Sequence, residues 1–364
     1  MRVLIINSIP YTAETKNIRR AASIKDTMIY DLCLAFRSLG YEVTLMAAEP
    51  YQPEEESVYP FEMVWCKCVV QPLFMPHRFP VMPQVWEILR KKRQEFDLII
   101  SSEIFSASSL AACLLAPKKT VVWHELAKHN ALLKKIPSRL WYNVVARLFM
   151  NKTKVVARSA EAREFIGRYC GNVLPMVIDH GVNLDKFKAV EKKKAYFIVC
   201  SQLIKRKRID GILRYFAAYL TRYNGEGKLY IVGDGEERFV LETLCVELQI
   251  KDAVVFTGRL THDEMVPLLA GAQGLLVNTE KDNSMISIVE AIAVGTPVIT
   301  TDVPLNASYI RANELGIVGE WTENDLWELS VNNSTYVNNC LAYRDRISTE
   351  YKVKQFIEAA KNFS

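Results

Sequence analysis

The stretch that decides the fold is LLVNTEKDNSMISIVEAIAVGTPVITTD, residues 275–302. A short apolar run opens it and another, residues 298–301, closes it, and runs of this length favour buried strands. Between them, apolar residues recur at helical spacing over residues 286–294, until Gly295 and Pro297 end the helix. The stretch therefore predicts a strand, a polar loop, a helix and a second strand, which is the repeating unit of a parallel α/β sheet.

Two acidic residues flank the predicted start of this helix. Asp282 lies in the loop, and Glu290 follows eight residues later, about two helical turns further along. The first N–H groups of a helix have no partner within the helix, and they bind anions, phosphate above all. We therefore expect both acids to face one crevice with the amides of Ser284, Met285 and Ile286, where a diphosphate and a ribose diol could bind. The alternative is an ordinary βαβ unit with a solvated loop.

This segment resembles the Glu-x7-Glu region of retaining glycosyltransferases of family 4, which have the GT-B fold. Asp282 stands where the first Glu is usual, and Asn283-Ser284-Met285 replaces a run that is commonly Gly-Phe-Gly or Asn-Phe-Pro. The resemblance implies that Asp282 lies near the transferred sugar and that Glu290 holds the nucleotide ribose. It also implies that the amides of residues 284–286 meet the diphosphate.

A second element, SQLIKRK at residues 201–207, is similar to the family segment whose Arg and Lys hold the donor diphosphate. Lys207 takes the Lys position, whereas Gln202 replaces the Arg, so that nearby cations at positions 205, 206 and 208 would have to compensate. A solvated basic loop is the alternative. Gly258 and Arg259 fall where family members approach the nucleotide base.

His124 follows a predicted strand at residues 120–123, and sites in α/β proteins form at such strand ends. The resemblance implies that this histidine lines the sugar and acceptor cleft, and a loop residue with a capping role is the alternative. The run VIDHGVNLDKF, residues 177–187, is similar to the family's crossover between domains. We therefore expect one domain at residues 1–182 and another at 183–347, with a C-terminal helix at about 348–364 packing back on the first.

The implied fold is GT-B, with two doubly wound Rossmann-like α/β domains facing a cleft. The implied reaction moves a sugar, with retention, from a nucleotide-diphosphate sugar to a saccharide or lipid-linked acceptor. UDP is favoured over GDP, and no separate cofactor is expected. No spacing typical of metal ligands occurs, which suits chemistry without a metal. The resemblance implies Asp282, His124 and Lys207 as the candidate catalytic residues. A nucleotide-sugar epimerase of the same fold and a non-catalytic binding protein are the alternatives.

Charge is uneven along the 364 residues, since residues 1–180 carry a net charge of +7 and the remainder −2. A basic half favours an anionic partner, and Lys16, Arg19 and Arg20 could meet an anionic acceptor or form a solvated loop. Residues 131–150 combine cations with large apolar residues, which favours a helix on an anionic membrane or a helix packed on the sheet. We expect no nucleic-acid partner.

No run of 18 or more apolar residues occurs, so no membrane-spanning helix is predicted. The first ten residues, MRVLIINSIP, predict a strand and not a signal peptide. The eight scattered cysteines favour reduced, buried thiols. We therefore expect a cytoplasmic protein that could also lie peripherally at the inner face of the cell membrane.

Overall fold

The computed structural model describes residues 1–11, 23–25, 27–54, 58–69, 79–130, 132–224, 227–282 and 284–361. Two compact units divide the chain. Unit 1 consists of Met1–Gly181 and Thr349–Ser364, and unit 2 of Val182–Ser348, so both boundaries lie within one residue of those expected. Asn283 and the basic residues at positions 16, 19 and 20 lie outside the described part of the chain.

Unit 1 contains a seven-stranded parallel sheet. Its strands are β1 (Arg2–Ile6), β2 (Glu42–Ala48), β3 (Glu62–Cys66), β4 (Leu98–Ser102), β5 (Thr120–His124), β6 (Lys154–Ala157) and β7 (Val173–Val177). They lie in the order β3-β2-β1-β4-β5-β6-β7. The apolar residues 3–6 of the central strand are all buried, because helices cover both faces of a parallel sheet.

The helices of unit 1 alternate with its strands. They are α1 (Met28–Ser38), α2 (Pro83–Lys92), α3 (Ala107–Leu115), α4 (Ile136–Leu140) and α5 (Ala160–Gly167). A π-helical segment, Trp141–Met150, continues α4.

Unit 2 repeats the same architecture around six parallel strands. The strands are β8 (Lys194–Cys200), β9 (Lys228–Val232), β10 (Val254–Gly258), β11 (Ala272–Val277), β12 (Val298–Thr300) and β13 (Gly316–Val318), in the order β10-β9-β8-β11-β12-β13. The helices are α6 (Ile209–Arg222), α7 (Arg238–Glu247), α8 (His262–Gly271), α9 (Ile286–Ala293), α10 (Ala307–Ala312), α11 (Glu323–Val331) and α12 (Asn333–Tyr343). The two predicted parallel α/β domains are thus confirmed.

The last helix, α13 (Thr349–Lys361), belongs to unit 1 although it follows unit 2 in the chain. The ring of Phe356 meets Trp123 of β5 edge to face, with 5.2 Å between the centroids. The Lys154 Nζ donates a hydrogen bond of 2.9 Å to the carbonyl of Ala359. These contacts dock the helix on the sheet of unit 1.

Three elements differ from the sequence-based predictions. The apolar run at residues 64–70 predicts a strand, whereas β3 begins two residues earlier and ends at Cys66. The pattern at residues 325–338 predicts one helix, whereas the structure has two helices separated at Asn332. Strand β13 was not predicted, because Gly316 interrupts its short apolar run. Its Gly316 has φ of 149° and packs directly against the backbone of Val298.

All eight cysteines are free thiols. Among the described residues, no helix has both the length and the apolar character needed to cross a bilayer.

Candidate functional site

The strand order of unit 2 places the candidate site beside the carboxyl ends of its central strands, and we call this side of the sheet the sheet edge. The order runs outward from β8 through β9 in one direction and from β11 through β12 in the other. In open parallel sheets, ligands bind beside the carboxyl ends of the strands at such a reversal. Lys207 lies in the loop after β8, and Asp282 lies in the loop after β11, so the fold brings together two loops that are far apart in the sequence.

Lys207 and Asp282 form an ion pair at this edge. The Lys207 Nζ lies 2.6 Å from the Asp282 Oδ2, and the two side chains are only 11% and 16% exposed. The same oxygen accepts a hydrogen bond of 2.8 Å from the Thr279 hydroxyl and lies 3.1 Å from the Arg206 guanidinium. Arg206 also donates to the carbonyl of Lys281. The Asp282 Oδ2 thus contacts two cationic side chains and one hydroxyl group.

These partners keep Asp282 ionised. Burial raises the pKa of a carboxyl group, but the hydrogen bonds from Lys207 and Thr279 and the charge of Lys207 outweigh it, so that the pKa of Asp282 is lowered. The site therefore holds a charged acid whose negative charge is paired with the positive charge of the lysine.

Helix α9 begins next to this pair, and Asn306 organises its start. The fully buried Asn306 side chain accepts a hydrogen bond of 2.7 Å from the Met285 amide and donates one of 3.2 Å to the Ser284 hydroxyl. The expectation that all three amides are open to a ligand therefore needs correction at Met285, because that amide already has an acceptor. Ile286 is the first residue of the helix and is half exposed.

Glu290 lies on α9, and its side chain is 12% exposed. Its Oε1 is 3.4 Å from the Nε2 of His262 at the start of α8. Burial raises the pKa of the Cys200 thiol, and the charge of Glu290 adds to that rise. His262 itself follows β10, on the side of the sheet where its parallel strands end. Glu290 thus faces the same sheet edge as the Lys207–Asp282 pair.

The other predicted residues lie in loops at this edge. Gln202 is exposed in the loop that carries Lys207, and Arg259 is exposed just after β10. Gly258 has φ of 74°, and its carbonyl accepts a hydrogen bond of 2.9 Å from the amide of Gly233. The loops after β9 and β10 are therefore joined through their backbones.

We predict that Gly233→Ala destabilises unit 2 and its site. Gly233 has φ of +135°, and a Cβ there would lie 1.9 Å from the carbonyl oxygen of Ser201, in the loop that carries Lys207. Strained backbone costs about 1–3 kcal/mol, and forcing the loops apart adds about 1–3 kcal/mol. Urea unfolding measures the loss.

Gly319→Ala is the matched control for this change. Gly319 has a similar φ of +156°, but a Cβ there would meet nothing within 4 Å. The free energy of unfolding of Gly319→Ala should therefore fall only by the cost of backbone strain. Equal losses of the free energy of unfolding in both variants would show that the contact with Ser201 is unimportant.

His124 lies in unit 1, and its position corrects the expectation that it touches a sugar. The side chain is fully buried, with its Nδ1 2.9 Å from the Oε2 of Glu103. Glu103 has φ of 69°, and its Oε1 accepts a hydrogen bond of 2.7 Å from the amide of Glu125. Burial opposes ionisation of Glu103, but the charges of His124 and Arg158 outweigh it and lower its pKa. In this arrangement Glu103, and not His124, has exposed surface.

The sequence-based predictions missed three residues that shape the site in unit 2. Thr279 and Asn306 orient Asp282 and the start of α9, and His262 contacts Glu290. His262 follows a helix-capping threonine, whose capping box marks the start of α8. That signal locates the helix end, but it does not show that the histidine reaches Glu290 on another helix.

Comparison with known proteins covers both units. The family described as Glycosyltransferase Family 4 matches residues 26–186, and the family described as Glycosyl transferases group 1 matches residues 183–332.

Curated relatives match over shorter segments. N-acetyl-alpha-D-glucosaminyl L-malate synthase of Bacillus anthracis is 31% identical over 137 residues, which is 38% of this chain and 35% of the relative. The O-antigen chain mannosyltransferase RfbU of Salmonella typhimurium is 26% identical over 129 residues, 35% of this chain and 36% of the relative. Alpha-monoglucosyldiacylglycerol synthase of Streptococcus pneumoniae is 26% identical over 188 residues, 47% of this chain and 42% of the relative. The matched segments thus span less than half of each relative's length.

Solved structures match over the whole chain. The Anabaena protein Alr3699/HepE, in complex with UDP, superposes with a TM-score of 0.66 at 14% identity, covering 99% of this chain and 100% of that one. A glycosyltransferase from Rickettsia africae gives a TM-score of 0.67 at 12% identity, covering 100% and 98%. At these identities the likeness shows the fold alone.

Proposed function

Because the chain belongs to glycosyltransferase family 4 and has the GT-B fold, we propose that it transfers a sugar, with retention, from a nucleotide-diphosphate sugar to a saccharide or lipid-linked acceptor. The observation that carries this proposal is the Lys207–Asp282 pair, with 2.6 Å between Nζ and Oδ2, at the sheet edge where α9 begins. An anion-binding helix start beside a mostly buried lysine suits a diphosphate leaving group.

Each residue of the site has a chemical role in the proposed reaction. Lys207 stabilises the negative charge that develops on the departing nucleoside diphosphate, together with the amides of Ser284 and Ile286. Glu290 accepts hydrogen bonds from the ribose hydroxyls. Asp282, released from Lys207 when the diphosphate arrives, faces the sugar. Arg206 supplies the second positive charge that the family places at the position of Gln202.

We propose UDP, rather than GDP, as the nucleotide of the donor. The Anabaena protein was solved in complex with UDP, and a second structure of that protein is a complex with UDP-glucose. A thermal-shift comparison of UDP, GDP and their sugars tests this choice, because a ligand that binds only the folded state raises the melting temperature. UDP compounds should give the larger shift.

The thermal shift also tests the site. Glu290→Ala should abolish most of the UDP-induced shift, whereas Glu247→Ala, an exposed acid on α7, should leave it intact. If UDP raised the melting temperature of Glu290→Ala as much as that of the unchanged protein, Glu290 would not hold the ribose. Product analysis with a labelled donor then separates transfer from epimerisation, since only transfer joins the labelled sugar to an acceptor.

For the acceptor, we propose a saccharide or a lipid-linked saccharide at an anionic membrane surface. Two relatives are named for an O-antigen chain and for a diacylglycerol glycolipid. The segment from α4 to the end of the π-helix packs one face inward through Tyr142, Ala146 and Met150. Its outer face exposes large apolar side chains, namely Ile136, Leu140, Val144, Leu148 and Phe149. Such an exposed apolar stripe with interspersed cations suits a lipid interface.

We predict that the double change Leu140→Asp and Leu148→Asp prevents binding to anionic vesicles. These side chains are 63% and 70% exposed, so the change should leave the fold intact. Partitioning should fall at least about 100-fold, at ~1.5 kcal/mol for each leucine no longer buried in lipid. Vesicle sedimentation at low salt measures it.

Leu114→Asp, at an exposed leucine of α3, is the matched control for the vesicle experiment. It adds one negative charge away from the stripe, where the double change adds two within it, and it should bind vesicles as the unchanged protein does. If the unchanged protein stays in the supernatant at low salt, the membrane proposal is wrong.

A further inference from the structure

A cavity of about 400 Å³ lies within unit 2, at the carboxyl ends of β11, β12 and β13. Residues after these strands line it together with Tyr215 of α6. Lys207, Asp282 and Glu290 are not among its lining residues. Thr279 is, and the hydroxyl of Thr279 also donates to Asp282. The cavity is therefore a separate space that shares one loop with the candidate donor site.

One buried polar group in this cavity has no partner. Trp321 lines the cavity and is 3% exposed, yet among the described residues no acceptor receives a hydrogen bond from its Nε1. Leaving a buried N–H without an acceptor costs about 1–3 kcal/mol. A ligand oxygen at this position would remove that cost.

The rest of the lining is aromatic and carboxylate-rich. The ring of Tyr215 lies against Trp321, with centroids 4.9 Å apart at an angle of 46°. Three acidic residues are among those that line the cavity, Glu280, Asp302 and Glu320. Two of them have guanidinium groups nearby, since Arg208 lies 3.8 Å from Glu280 and Arg311 lies 2.5 Å from Asp302.

This lining selects one class of ligand. Carboxylates outnumber the cations at the cavity wall, which disfavours a phosphate or another anion. No cluster of His, Cys, Asp and Glu suited to a metal occurs in the described ranges, which disfavours a divalent cation. A purely apolar molecule would leave the buried indole N–H of Trp321 without a partner. A polyhydroxylated ring supplies donors for the carboxylates, an oxygen for the indole and C–H groups for the tyrosine ring.

We propose that this cavity is a second saccharide site, which takes a neutral sugar unit distinct from the donor sugar. Glu320 and Glu280 accept hydrogen bonds from its hydroxyl groups, and Trp321 donates to one of its oxygens. Binding there orders the loop at residues 278–282, because Thr279 lies in the cavity wall and holds the Asp282 carboxylate. The site can exist whether or not the donor assignment holds, since its own residues define it.

Fluorine NMR of the full chain labelled with 5-fluorotryptophan tests the proposal. The signal of Trp321 is the one that disappears in Trp321→Phe. We expect it to shift saturably on titration with a panel of D-glucose, D-galactose, D-mannose, N-acetyl-D-glucosamine, maltose and cellobiose. The titration is repeated with UDP at saturation, so that the donor site is filled, and the shift should remain.

Two variants connect that shift to the cavity. Glu320→Gln should weaken sugar binding about tenfold, since a hydrogen bond to a charged carboxylate is stronger than one to a neutral amide. Tyr215→Ala should weaken it as well, because the ring surface is lost. Glu247→Gln, a change of the same kind on α7, should leave the affinity unchanged. The proposal is overturned if no sugar of the panel moves the Trp321 signal, if UDP abolishes the shift, or if Glu320→Gln binds as tightly as the unchanged protein.

Discussion

Replacing Lys207 with alanine should lower kcat for sugar transfer by about 10²–10³-fold, the usual cost of removing one group that stabilises developing negative charge. The lysine is 11% exposed, so its charge acts in a poorly solvated place. The negative charge on a departing diphosphate is greatest in the transition state, and Lys207 contacts Asp282 more closely than Arg206 does. Its loss should therefore reduce kcat more than it raises KM.

Initial rates with UDP-sugar donors and a saccharide acceptor measure this effect. Lys205→Ala is the matched control, because Lys205 lies in the same short 3₁₀ turn, Lys205–Lys207, and its side chain is exposed. That variant should keep most of its activity. The Lys207 assignment fails if both variants lose activity equally, or if Lys207→Ala turns over at the original rate. Arg206 remains beside Asp282 in either variant, so unit 2 should fold.

The sequence led to the fold because parallel strands are buried on both faces and therefore leave continuous apolar runs. Strand β13 was not predicted because Gly316 interrupts its short apolar run. Its place in the sheet follows from pairing with β12. The break at Asn332 was also missed, since neither proline nor glycine marks it. Such features depend on contacts between elements, which a local pattern does not encode.

The site was only partly predictable for the same reason. Asp282, Glu290 and Lys207 were chosen from a motif and its spacing, and the structure places all three at one sheet edge. Their partners could not be chosen in this way. Asn306 lies 21 residues from Met285 in the sequence, and no spacing rule connects them. His124 sits at the predicted strand end, but its burial under Glu103 depends on how loops of unit 1 pack.

Asp282→Asn should bind UDP about tenfold more tightly than the unchanged protein while losing most of its transfer activity. The Asp282 carboxylate forms an ion pair with Lys207, with 2.6 Å between Oδ2 and Nζ. A diphosphate has to displace that carboxylate, and hydrogen bonds to charged groups contribute roughly 1.5–3 kcal/mol. Asparagine keeps the shape but not the charge, so the lysine is free to bind phosphate. Calorimetry with UDP measures the gain in affinity.

The same substitution should make unit 2 less sensitive to acid. The pKa of Asp282 is lowered in the folded protein, so its ion pair stabilises the fold above the unfolded pKa. That contribution disappears as the pH falls through the folded pKa. Asparagine does not titrate, so the melting temperature of the variant should fall less over this acidic range. Differential scanning at stepped pH compares the two proteins.

Asp210→Asn is the matched control, because Asp210 is an exposed acid at the start of α6 in the same unit. It should change neither the UDP affinity nor the acid sensitivity. Weaker UDP binding by Asp282→Asn would mean that the carboxylate helps to hold the nucleotide and does not compete with it. In that case Lys207 would stay paired with Asp282 in the complex. Since one lysine cannot fully serve both the carboxylate and the diphosphate, the diphosphate would have to bind chiefly through the start of α9.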